Sequence, residues 1–174
     1  MKKKTESILA AMNVLSWVVF IGLLIKAGVI LISYGVSIGN PEAAKNLYRG
    51  MDLYNIRKFD LWHYTTMVSF IVAIILLEVY IAFLVIKVLS KVKLSNPFTT
   101  EVSKCLEKIS YFILGVWVVS MLFNIHISWL SKSIDGLKDH LVPGEFIFLA
   151  GVVFIFSQIF KKGVEIQSEN ELTV

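Results

Sequence analysis

The stretch WHYTTMVSFIVAIILLEVYIAFLVIKVLS, residues 62–90, carries only two formal charges, Glu78 and Lys87. An apolar run beyond about 18 residues is the mark of a helix that crosses a bilayer. The run does not alternate polar and apolar residues as a membrane barrel strand does. Three more runs of this kind occupy residues 8–33, 109–130 and 145–160. At about 1.5 Å per residue each covers a hydrocarbon core of about 30 Å, the last only if its helix continues past Phe160. The fold class predicted is an all-α membrane protein with four transmembrane helices, and residues 1–174 form a single integral-membrane domain.

Composition agrees. The 174 residues are 56% hydrophobic and 17% charged, with a mean hydropathy of +0.73, whereas soluble domains run near 45–50% and 25%. A soluble enzyme, a disulfide scaffold and a disordered tail are excluded. The single cysteine, Cys105, has no partner for an internal disulfide. The net charge of +4 does not argue for direct nucleic-acid binding, because Lys and Arg beside spans already follow from topology.

Lys2-Lys3-Lys4 resembles the start of a signal peptide, but the apolar run behind it is too long and lacks a small-residue cleavage site. It reads as a retained helix. Lys and Arg in the connections number ten on the side of the termini and six on the other. Both termini are therefore expected in the cytoplasm, with the protein multi-pass in an inner (plasma) membrane. Trp62, Tyr64 and Trp129 fall at the expected outer interface, where amphipathic rings gather, while Trp17 and Trp117 lie deeper and read as packing residues.

In the first connection Asn40-Pro41-Glu42 predicts a short outer-loop helix running to about Arg49, with Gly50 as its stop. Leu47, Tyr48, Met51, Leu53 and Tyr54 suit a helix resting on the membrane surface; the competing reading is a sensor lid. In the second connection Thr99 caps a helix with Glu101 in its first turn. Val102, Cys105, Leu106 and Ile109 then repeat at helical spacing. This predicts an amphipathic cytoplasmic extension of the third span. Phe98 at its foot is expected to pack on the bundle. Residues 87–108 carry a balance of +3, and 163–174, with three Glu and the terminal carboxylate, carry −4. The acidic tail is expected to be drawn to that basic segment, or to serve a basic cytoplasmic partner.

Ionisable residues inside a bilayer are costly and mark functional candidates. Lys26 and Glu78 qualify, with backbones expected to differ in depth by roughly 10 Å at helical rise. Asn124 reads as interhelical glue and His126 as a satisfied packing residue. His63, His126 and His140 fall on one side, but nothing in their spacing predicts a metal site. No catalytic cluster, cofactor motif or metal-ligand pattern is present, so an enzyme is not expected.

Asn96-Pro97-Phe98-Thr99-Thr100-Glu101, then Leu106-Glu107-Lys108-Ile109, resembles the loop motif of a bacterial four-span family, domain of unknown function twenty-nine seventy-five (DUF2975-like). The end of the chain, with Glu165, Glu169 and Glu171 before Leu172-Thr173-Val174, is similar to that family's acid-rich close. The resemblance implies a helical inner-membrane protein. Because family members are often encoded beside a small helix-turn-helix regulator, it also implies a regulatory pair. The expected partner surface is Asn96, Pro97, Phe98, Thr99, Glu101, Glu165, Glu169 and Glu171. The function expected is a non-enzymatic regulatory or sensor protein acting with a cytoplasmic helix-turn-helix transcription regulator. The alternative is a small transporter, channel subunit or immunity-type protein working through Glu78, which would require a homo-oligomer.

Overall fold

The computed structural model of the chain describes residues 2–92, 97–134 and 145–172. Its elements are α1 (Lys2–Gly39), a 3₁₀ helix (Pro41–Asn46), α2 (Tyr54–Phe59), α3 (Leu61–Lys91), α4 (Thr100–Leu130) and α5 (Glu145–Leu172). Four of them, α1, α3, α4 and α5, are long and apolar enough to cross a membrane. The protein is a multi-pass helical membrane protein. The amphipathic segment after Thr99 is continuous with the third span, as its spacing requires, and the Thr99 side chain accepts from the Val102 N–H at 3.3 Å. The fourth helix runs on to Leu172, so residues 163–172 extend the span rather than form a separate tail.

Cross-helix pairs fix an antiparallel row. Tyr34 meets Thr65 and Phe20 meets Phe83 between α1 and α3. Tyr80 meets Phe112, and Phe70 meets Phe123, between α3 and α4. Ser103 meets Ser157 between α4 and α5. Among the described residues α1 packs on α3 but not on α4 or α5, and α5 packs on α4 alone of the helices. The order is α1–α3–α4–α5, an open row rather than a closed bundle. Small side chains permit the α4–α5 approach: Ser103, Ser110, Ala150 and Ser157 are all buried. In lipid such interfaces depend on close packing, since apolar surface gains nothing by leaving the tails. The outer surface of α1 is accordingly apolar and exposed, from Ile8 through Ile38.

The first connection departs from expectation. Asn40 does cap, its side chain accepting from the Glu42 N–H at 3.1 Å. The helix it starts is a single stretch of 3₁₀ ending at Asn46, and Arg49 (φ 45°) and Gly50 (φ 85°) turn the chain in the left-handed region. Leu47 and Ile56 are fully buried beside Ala44, with Tyr48, Met51, Leu53 and Tyr54 packed around them. These residues therefore do not form a free apolar face: Leu47 is enclosed and the others pack around it. They fold back as a cap, because a second short helix, α2, gives the loop its own apolar face to close against α1 and α3. Tyr64 is likewise not an interface ring: it is buried, and its hydroxyl shares a 2.6 Å hydrogen bond with Ser37. Trp17, expected to pack, is 46% exposed; Trp62 and Trp129 are exposed at the ends of α3 and α4.

Arg57 ties the cap down. Its Nε donates to the Ser37 carbonyl at 3.2 Å and its Nη2 to the Ile38 carbonyl at 3.0 Å. These are C-terminal carbonyls of α1 that lack helical partners, and hydrogen bonds from a charged donor are worth about 1.5–3 kcal/mol each. Arg57→Ala is expected to speed protease cleavage between residues 40 and 60 while the spans stay protected. Unchanged cleavage would show that the cap is held by its apolar contacts alone. On the rim, Lys45 donates to Glu42 and holds its carboxyl below the ordinary range. That contribution is present above the ordinary carboxylate range and lost as the pH falls through the lowered value; both groups are exposed, so it is small.

Candidate functional site

Where the row of helices curves, a cavity of about 500 Å³ lies over α3 and α4, walled by Ser16 and Val19 of α1 and by Leu149 of α5. Its floor is apolar, with Ala82 and Val116, and among the described residues its one ionisable lining group is Glu78. Pockets of this size with few polar groups are the usual form of small-molecule sites. Glu78 sits near the middle of α3, two residues from that helix's centre, and is half-buried.

Lys26 lies nearer to Glu78 than depth counted along the spans suggests. Tyr34 faces Thr65, Ser37 faces Tyr64 and Phe20 faces Phe83. That register sets Lys26 opposite residues 73–77, within about one helical turn of Glu78. The expected offset narrows because α1 runs on to Gly39, so its apolar stretch is not centred where its hydropathy is. The Lys26 ammonium acts on the Glu78 carboxyl electrostatically without closing to an ion pair such as Lys91 makes with Glu101.

A second assembly forms at the end where α3 finishes and α4 begins. Phe98 packs against Phe160 with ring centroids 5.2 Å apart and ring planes inclined at 59°. It also lies over Gly163, where a Cβ would meet its ring at 2.5 Å. Gly163 is therefore required by close approach, and Phe98 packs on the bundle as its position predicted. Pro97 is half-buried beside it, Thr99 caps α4, and Glu101 reaches back across the connection to Lys91. At this junction the described residues show an aromatic contact, Phe98 against Phe160 and Gly163. The Glu165 carboxylate accepts from Lys162 of its own helix at 3.0 Å, and Glu165 and Glu169 are exposed. Exposed pairs contribute only about 0–1 kcal/mol, so the aromatic contact decides the docking. Asn96 and the side chain of Glu171 lie outside the described residues.

At the opposite end, Asn124 and His126 stand on α4. Both are half-buried, and neither Asn124 Oδ1 nor His126 Nε2 has a hydrogen-bond partner. His126 thus packs without being satisfied, and the Asn124 carbonyl makes no interhelical bond. The His126 ring lies 5.4 Å from the His63 ring, beside Trp129 and Phe70. His140 lies outside the described residues. Among the described residues no group of three or more His, Cys, Asp or Glu gathers as metal ligands do.

The family model described as "Protein of unknown function (DUF2975)" matches residues 39–174, and the chain belongs to that family. No curated protein and no solved structure matches it.

Proposed function

With membership of that family as the premise, we propose that the protein is a non-enzymatic regulatory component of a bacterial inner membrane, with both termini in the cytoplasm. In this reading the Glu78 cavity takes up a membrane-soluble molecule or reports a lipid state. The surface around Pro97, Phe98, Thr99, Glu101 and Glu165 holds or releases a cytoplasmic helix-turn-helix regulator. One observation carries it: α5 contributes Leu149 to the cavity wall and Gly163 to the seat of Phe98. A wedge between α1 and α5 then moves the surface that the partner reads. A ligand shifts such an equilibrium only by its differential affinity for the two arrangements.

The test is co-purification from detergent extracts with the regulator encoded beside it. Phe98→Ala in a chain ending at residue 162 is expected to lose the partner. Full retention would overturn this interface. A reporter fused after Val174 is expected to be active on the cytoplasmic side; activity on the far side would overturn the orientation.

The alternative, a small transporter or channel subunit acting as a homo-oligomer, is favoured by the mid-span position of Glu78 in a cavity. Glu78→Gln separates the two. Loss of proton-linked flux from vesicles with partner capture intact supports transport. Unchanged flux removes the residue on which that reading depends.

A further inference from the structure

His63 belongs to the first turn of α3, where the Asp60 side chain caps its backbone N–H at 3.0 Å. His126 stands in the last turns of α4, 63 positions later. The two rings are brought to a centroid separation of 5.4 Å at 40°. Phe59, Phe70 and Trp129 surround them, with Trp129 5.2 Å from the His63 ring. Inside this aromatic enclosure one nitrogen of each imidazole, His63 Nδ1 and His126 Nε2, is shielded from solvent and has no hydrogen-bond partner among the described residues. Leaving a buried polar atom unpaired costs about 1–3 kcal/mol, and such an atom calls for an explanation that includes a missing ion. The two orphans stand on neighbouring rings, so one ion bridging them answers both.

The spacing fits a shared ion. Two imidazole nitrogens, each about 2.0–2.1 Å from one ion at a near-tetrahedral angle, place their ring centroids about 5 Å apart. Imidazole favours copper, nickel and zinc, with affinity highest for copper along the divalent series. Because no third His, Cys, Asp or Glu joins them among the described residues, the site leaves coordination positions open. It also sits at the mouth of the span beside exposed Trp62 and Trp129, where an ion from the aqueous phase can reach it. We propose that His63 and His126 form an open two-imidazole site for a late first-row transition ion, tightest for Cu²⁺. Binding deprotonates neither ring if both are neutral, and the ion takes the two lone pairs that have no other partner.

The experiment uses the full chain in detergent at neutral pH, titrated with CuCl₂, NiCl₂ and ZnCl₂. Retained metal is measured after dialysis, and tryptophan emission is followed in parallel. About one Cu²⁺ per chain is expected, with Ni²⁺ and Zn²⁺ held more weakly. His63→Gln and His126→Gln should each weaken Cu²⁺ binding at least about tenfold, the loss that removal of even a supporting residue brings. Trp129→Phe should leave the stoichiometry intact and remove a distinct share of the copper quenching. The proposal falls if the wild-type chain retains no Cu²⁺, or if the double glutamine variant binds it with unchanged affinity. Should the glutamine variants fail to fold, identical quenching in the Trp129→Phe chain would be enough to reject it.

Discussion

Replacing Tyr64 by Ala is expected to lower the stability of the folded chain by about 3–5 kcal/mol, the range for deleting a large buried aromatic side chain. Tyr64 is fully enclosed. It stacks against Tyr34 at 5.5 Å and hydrogen-bonds Ser37, so its ring is where α1, α3 and the folded loop meet. The cavity left by its removal faces Ile30, Leu47 and Ile56 in the same cluster, none of which can collapse without moving a helix or the cap. Tyr64→Phe separates packing from polarity. It keeps the ring and strands the Ser37 hydroxyl, which still donates to the Tyr34 carbonyl at 2.7 Å. The expected loss is therefore only about 1 kcal/mol. Thermal unfolding in one detergent, followed by circular dichroism, measures both. Equal losses for the two variants would mean that the hydroxyl contact, and not the ring, holds this junction.

The second large effect is at Gly163. A Cβ there lands 2.5 Å from Cδ1 and 2.8 Å from Cγ of Phe98, the body of the ring rather than a flexible tip. Either Phe98 leaves its seat against Phe160 or α5 moves away from α4. Overpacking of this kind costs about 1–3 kcal/mol, and Gly163→Val should reach the upper part of that range. The control is the double variant. Once Phe98→Ala has removed the ring, Gly163→Val should cost little, so the two changes are strongly non-additive. If they simply add, Phe98 does not occupy this position. The same pair probes the proposed function, because both alter the partner surface at residues that do not line the cavity around Glu78.

Much of this protein is legible without a structure. The four spans follow from the length of their apolar runs. The continuous helix after Thr99 follows from one cap and a 3.6-residue period. The candidate residues Glu78, Lys26, Asn124 and His126 follow from the cost of polarity in lipid. Each of these is a property of one or two turns of chain, and short-range rules carry it. The loop residues Leu47, Tyr48, Met51, Leu53 and Tyr54 read as a membrane-surface face because an apolar cluster beside a membrane reads identically whether it faces lipid or the protein's own cap. His63 and His126 offered no motif, since ligands on different helices need no fixed spacing in the chain.

The amino-acid order thus determined how many helices cross the bilayer, where they begin and which buried charges stand out, because transfer into hydrocarbon acts on each segment separately. Only the tertiary structure decided that Lys26 stands within about one helical turn of Glu78, that Phe98 needs a bare α-carbon at Gly163, and that the His63 and His126 rings come together from α3 and α4. Those relations depend on the register between helices. Register is set by side chains of one helix meeting gaps in another, contacts that no single segment contains.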